Sequence, residues 1–209
     1  GSIADIRTWS FCQDKIITTG EEAALVTVND DALWRAMWSY KDHGKSWDAV
    51  YEREHPPGFR WLHESFGTNW RITEIQAAIG RVQLRRIGEW MAARTANAKA
   101  IHDALLPWSS AAGPVRLAPW PGERDGAHAF YRFYCYVRPD NLASGWDRDR
   151  IVREICEAGV PVFQGTCSEI YREKAFEEAH LAPPQRLPNA MELGETSLAF
   201  LVHPTLTPQ

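Results

Sequence analysis

With 209 residues, the chain is long enough for one large domain or two small ones, and it can bury a substantial core without disulfide help. Its 44% hydrophobic and 24% charged content is that of a globular protein, and a formal net charge of -4 argues against nucleic acid or an anionic membrane as partner while leaving a local anion site open. Cys12, Cys135, Cys156 and Cys167 follow no metal-ligand rhythm, and no apolar run approaches the roughly 18 residues of a membrane helix. The expectation is therefore free thiols in a reducing cytoplasm, with no metal and no membrane contact.

Residues 3 to 11, IADIRTWSF, alternate loosely and carry Ile, Thr, Trp and Phe, which predicts a strand. After the Thr18-Thr19-Gly20 turn, the apolar run at 23 to 28 predicts a short buried strand. Asp30 is placed to cap a helix with Leu33, Ala36, Met37 and Tyr40 on one face, ended by His43-Gly44. Residues 45 to 68 form a long segment without periodicity, rich in His, Pro, Gly and aromatics, and such loops are often functional. Thr73 and Glu74 open a helix whose pattern (Ile75, Ala78, Ile79, Val82, Leu84 to Ile87) continues toward Leu106, where Pro107 is the expected stop.

Beyond Pro107, PVRLAPW, AFYRFYCYV, VPVF and SLAFLV predict strands, the last of them buried. Asp147 caps a helix at 148 to 158 that Gly159 stops; 169 to 180 and 188 to 195 are also helical, the latter with Pro188 in its first turn. This order suits a small α+β layer domain. Thr207-Pro208 reads as a helix start, and both ends of the chain look cut.

Taken singly, Lys15 is a solvated loop charge, and Ser10, Cys12 and His43 are unremarkable. There is no Ser-His-Asp order, no HExxH and no phosphate loop. Two stretches change this reading. GSIADIRTWSFCQDKIITTGE (1 to 21) and GTNWRITEIQAAIGRVQLRRI (67 to 87) resemble the signature segments of the DegT/DnrJ/StrS sugar aminotransferases. The tail resembles that family's small domain in DRDRIVREICEAGVPVFQG, SEIYREKAF and LPNAMELGETSLAFLVHPTLT, so the resemblance spans essentially the whole chain.

The resemblance implies an α/β fold type I transferase, aspartate aminotransferase-like, whose cofactor is pyridoxal 5'-phosphate. Residues 1-86 would be the end of the large cofactor domain, and 87-209 the small C-terminal α+β domain. The lysine matching Lys15 forms the internal aldimine and later moves the proton, the serine matching Ser10 hydrogen-bonds the cofactor phosphate, and the asparagine matching Asn69 reaches that phosphate from the neighbouring subunit of a homodimer. Arg71 is left between a direct anion contact and a structural pairing, since a guanidinium suits either. His43 is left between a helix-end cap and a lining residue of the sugar-nucleotide cleft. Trp47, Tyr51, Phe59, Trp61 and Trp70 are open to packing or to stacking on a sugar or base.

The implied reaction moves an amino group from an amino acid, commonly glutamate, to a nucleotide-linked keto-sugar. Lysine at position 15, where the family's sugar dehydratases carry histidine, favours transamination. A cyclitol ketone as acceptor, a non-catalytic binding relative and a small domain serving as an interaction module are the alternatives. One departure is local: the family continues T-G-E-G-G, whereas Gly20-Glu21-Glu22-Ala23-Ala24 stands here. The other is an expectation of absence. The family's phosphate-cradling helix start, ring-stacking residue and pyridinium-pairing aspartate precede its lysine and cannot be placed in this sequence. The chain is therefore expected to be the C-terminal part of such an enzyme, inactive by itself.

Overall fold

The computed structural model describes residues 4–21, 23–122 and 128–206. Glu22 and Thr207-Pro208, singled out in the sequence, lie outside the described residues. The chain divides into two compact units, Gly1–Ile87 and Gly88–Gln209.

In the first unit β1 (Ile6–Ser10) pairs antiparallel with β2 (Ala24–Val28), with Ile6 opposite Val28 and Ser10 opposite Ala24. Here the sequence expectation of a buried second strand fails: Leu25 and Val26 are 50% and 43% exposed. The described residues form only a two-stranded sheet there, with α1 (Asp31–Lys41) against β2, and a two-stranded ribbon cannot cover both of its faces.

Asp30 caps α1 as its sequence position predicts, its carboxylate accepting from the Leu33 N–H at 2.7 Å. The helix ends on two left-handed residues, His43 (φ 62°) and Gly44 (φ 82°), and the Gly44 N–H returns to the Ser39 carbonyl at 2.8 Å. Gly44 is required for a second reason: a Cβ there would collide with the Ser65 carbonyl, and one on Gly67 would collide with the Gly44 nitrogen and the Tyr40 carbonyl. The aperiodic stretch from 45 to 68 holds one π-helical turn, Asp48–Glu52, pinned by Arg35 to Asp48 (2.5 Å) and Glu52 (3.2 Å).

Helix α2 (Glu74–Leu105) contains the boundary between the units and gives way to a 3-10 turn, Leu106–Trp108, that includes Pro107. The second unit is built on a four-stranded antiparallel sheet in the order β3-β4-β6-β5: β3 (Val115–Leu117), β4 (Phe133–Val137), β5 (Val162–Phe163) and β6 (Ser197–Phe200). Alternation along β4 sends Phe133, Cys135 and Val137 inward. They join Val115, Val162, Leu198, Phe200 and Val202 in one core, closed by Ala98 and Ile101 of α2 and by Ile151, Val152 and Ile155 of α3 (Arg148–Glu157). Burial pushes the Cys135 thiol up to about 12. Asp147 caps α3, accepting from the Arg150 N–H at 2.7 Å, and Gly159 follows it at φ 89°.

The single helix expected at 169 to 180 is instead a 3-10 turn, Ile170–Arg172, and a short α4 (Lys174–Glu178), separated by an extended Glu173. The cause is an ionic knot. Buried Glu169 accepts from Tyr171 Oη (2.6 Å), Arg186 Nε (2.8 Å) and Arg172 (3.4 Å), which ties the segment to the approach of α5 (Pro188–Thr196). The hydrogen bond from Arg186, then that from Tyr171, holds the Glu169 carboxyl down at about 2 against the opposing cost of burial.

Candidate active site

Lys15 sits in the loop that leaves β1. The strand pairing continues one step, Phe11 N to Ala23 O at 2.8 Å, and Thr19 N closes the loop on Phe11 O at 3.1 Å. Within it, Ser10 Oγ accepts from Cys12 N (3.3 Å), and Lys15 N donates to Cys12 O (3.0 Å). Ser10 and Lys15 are thus linked through one tight turn. The Lys15 ammonium donates to both carboxylate oxygens of Asp14, at 2.8 and 3.0 Å, with its side chain 38% exposed. An exposed pair of this kind contributes under about 1 kcal/mol.

The two sequence stretches singled out above touch here. Thr18 N donates to Gln83 Oε1 of α2 at 2.9 Å. Buried Thr19 packs so close to Gly80 that a Cβ on that glycine would lie 3.1 Å from Thr19 Cγ2. Gly20, at φ 93°, faces Ile79. The Thr-Thr-Gly turn is therefore seated on the Ile79-Gly80-x-x-Gln83 face of the helix, which is why a small residue and a long amide acceptor fall at those positions.

A second group forms at the end of α1. The segment 68 to 70 lies along 40 to 43 through Thr68 N to Tyr40 O (2.6 Å), His43 N to Thr68 O (2.9 Å) and Trp70 N to Lys41 O (2.9 Å), with Asp42 and Asn69 as bridge partners. Arg71 uses all three of its nitrogens: Nε donates to Asn69 Oδ1 (3.1 Å), one terminal nitrogen lies 3.6 Å from Asp42, and the other 3.4 Å from His43 Nε2. His43, Asn69 and Arg71 are brought together; Ser10 and Lys15 form the other group.

Asp42 is the residue that sequence reasoning missed. It is 7% exposed, and Lys45 (3.3 Å), Arg71 and Lys41 (3.9 Å) surround it. Burial raises its pKa, but the hydrogen bond from Lys45 and the charges of Lys45, Arg71 and Lys41 outweigh that and hold it below the usual carboxylate range. The signal was an acid between a helix-end lysine and His-Gly, with basic residues at 45 and 71.

Of the loop aromatics, Trp47 is packed against Trp34, Trp38 and Tyr51 (ring centroids 4.9, 5.2 and 4.3 Å apart), whereas Trp61 and Trp70 are 81% and 69% exposed. An open cleft of ≈ 510 Å³ lies elsewhere, in the second unit, between Gln164–Glu169 residues and Arg172, Arg186 and Glu195; it contains none of the predicted site residues. Among the described residues, no cluster of His, Cys, Asp or Glu is arranged to hold a metal. The first group offers an amine and a hydroxyl, and the second, separately, an amide and a guanidinium.

The model of the DegT/DnrJ/EryC1/StrS aminotransferase family matches residues 1–209. The GDP-perosamine synthase of Caulobacter vibrioides is 42% identical over 166 residues, covering 78% of this chain and 40% of that protein. The solved aminotransferase of Psychrobacter cryohalolentis superposes with a TM-score of 0.91 at 59% identity, over 98% of this chain and 52% of that one. At the level of fold alone, with a TM-score of 0.73 and 19% identity, the chain is similar to an E. coli GDP-4-keto-6-deoxy-D-mannose-3-dehydratase solved with bound hydrated PLP, over 98% of this chain and 51% of that one. The chain spans about half the length, or less, of the proteins it matches.

Proposed function

The chain belongs to the DegT/DnrJ/EryC1/StrS aminotransferase family, and from that premise we propose that it is part of a pyridoxal-phosphate-dependent aminotransferase acting on a nucleotide-linked keto-sugar, with an amino acid such as glutamate as donor. Residues 1-86 are then the end of the cofactor domain and 87-209 the small domain. The observation that carries the reading is Lys15, in a turn tied to Ser10 and seated on α2 through Thr18 and Gln83. The fold alone does not choose between amination and dehydration, since a sugar dehydratase shares it; a lysine at this position supports amination. The similarity to a GDP-perosamine synthase supports a nucleoside-diphosphate sugar as substrate.

The donor set fits the cofactor. Lys15 Nζ is the primary amine that would hold its aldehyde carbon. Ser10 Oγ already accepts from Cys12 N, which leaves its O–H to donate to a phosphate oxygen. Asn69 would add an amide donor to the same phosphate from the partner subunit of a homodimer. Pyridoxal phosphate, when bound, supplies the electron sink that lets an amine leave one carbon skeleton and join another. Lys15 must give up its proton and leave Asp14 before it can act as nucleophile or accept the proton from the donor's α-carbon. The exposed rings of Trp61 and Trp70 are available to stack on a sugar or base. A cytoplasmic location accords with four free thiols.

The test is made on the full-length protein. A visible absorbance band should be present, glutamate should bleach it, and borohydride should trap the cofactor on the peptide containing Lys15. The Lys15→Ala variant should show neither the trapping nor turnover. Absence of the band from the full-length protein would sink the proposal.

A further inference from the structure

An amide side chain shows two opposite faces to an anion. The Nδ2 hydrogens of Asn69 attract a phosphate oxygen, and its Oδ1 repels one. A half-turn of the terminal torsion exchanges them at little intrinsic cost, so a neighbour has to choose. Arg71 Nε can only donate, and it lies 3.1 Å from Asn69 Oδ1. The oxygen is thereby engaged, and Nδ2 is turned away from the guanidinium.

The guanidinium has two further neighbours. Its two terminal nitrogens lie 3.6 Å from Asp42 Oδ1 and 3.4 Å from His43 Nε2. Asp42 is held by burial, by Lys45 and by its backbone bridge to Asn69 itself. His43 is held at the left-handed end of α1 by its own N–H to Thr68 O. The chain of contacts runs from a helix terminus through a buried carboxylate to one amide, and a lysine at 71 could not make three separately aimed contacts.

We infer that Asp42 and Arg71 are positioning residues: through the Arg71–Asn69 hydrogen bond they fix the Asn69 amide with its nitrogen, not its oxygen, toward the phosphate ester of the cofactor. The inference rests on the functional reading above, and it gives Arg71 the structural role of the two left open by the sequence.

The test measures the affinity of the full-length apoenzyme for pyridoxal phosphate and for pyridoxal, which keeps the ring and aldehyde but lacks the phosphate. The ratio of the two reports phosphate recognition alone, and the pyridoxal affinity reports that the site is folded. Asn69→Ala should lower the ratio about tenfold or more, the scale of a hydrogen bond to a charged group. Asp42→Asn and Arg71→Lys should each lower it about three- to tenfold with the pyridoxal affinity unchanged, and neither should lower it further when Asn69 is already alanine. Equal losses for both ligands, or effects that add to that of Asn69→Ala, would overturn the positioning role; Arg71→Lys decides the matter if Asp42→Asn does not fold. If the unsubstituted enzyme binds neither ligand, the aminotransferase reading falls and takes this inference with it. If that enzyme prefers the phosphate ester but the ratio ignores Asp42 and Arg71, only the positioning role falls.

Discussion

Phe133, Val137, Val152, Val162, Leu198, Phe200 and Val202 are buried in the second unit, whereas the buried residues of the first, among those described, are Gly44, Ala49 and the polar Thr19 and Asp42. The large apolar side chains of the first unit (Ile6, Trp9, Leu25, Val26, Ile75, Val82, Leu84) are substantially exposed. One unit is organised by removing hydrocarbon from water. The other is organised by backbone closure and directed polar contacts: Thr18 on Gln83, Gly44 beneath Ser65, Arg71 on three partners. The contrast teaches that, within this chain, the turns bearing Lys15 and Arg71 are tied by hydrogen bonds, while the apolar faces of the first unit are left uncovered by the chain's own described residues.

The comparison is sharpened most by Lys15→Ala. It should cost about a thousandfold or more in transamination rate while leaving the urea midpoint of the second unit unmoved. Phe133→Ala should do the opposite, destabilising the second unit by about 3–5 kcal/mol in urea titration, with all site groups intact. Gly44→Ala would break the comparison's first half. A left-handed backbone and a collision with Ser65 should cost about 1–3 kcal/mol, read as faster amide exchange at 40 to 45 and 65 to 70.

Arg94→Met removes the buried guanidinium that donates to Phe130 O (3.1 Å) and Tyr131 O (3.2 Å), and should cost about 1–3 kcal/mol by thermal melting. The smallest effect concerns Glu169. Its folded carboxyl titrates at about 2, below its ordinary 4.5, so the stabilisation is complete above 4.5 and is lost as the pH falls toward 2. Glu169→Gln should flatten the acid side of the second unit's stability profile and leave its neutral side sloped as before.

Much of this architecture was legible in single residues. Asp30 and Asp147 announce their helices because an acid before an apolar-periodic run offers the acceptor a helix start needs, and Gly44 and Gly159 announce the ends. Lys15, Ser10 and Asn69 stand out only as members of ordered motifs, because nothing in their local composition distinguishes them from surface residues. Three features were illegible. The exposure of β2 depends on which strands lie beside it, and apolar composition does not encode that. The break at Glu173 depends on Arg186, more than a dozen positions away, drawing Glu169 and Tyr171 out of helical register. The pairing of Asp42 with Arg71 depends on Gly44 and Gly67, which let two backbone segments close.

Cys135 offers a clock. Its thiol is fully buried in β4, and with a pKa of about 12 only about one molecule in a hundred thousand would be ionised at neutral pH, so alkylating reagents should pass it by in the native state. Cys156 and Cys167 are exposed and should label at once. Half-buried Cys12 lies between these extremes, so the slow label is read on the Cys135 peptide by mass spectrometry, where it would count the openings of the second unit's core one molecule at a time. No dye, tag or engineered residue is required.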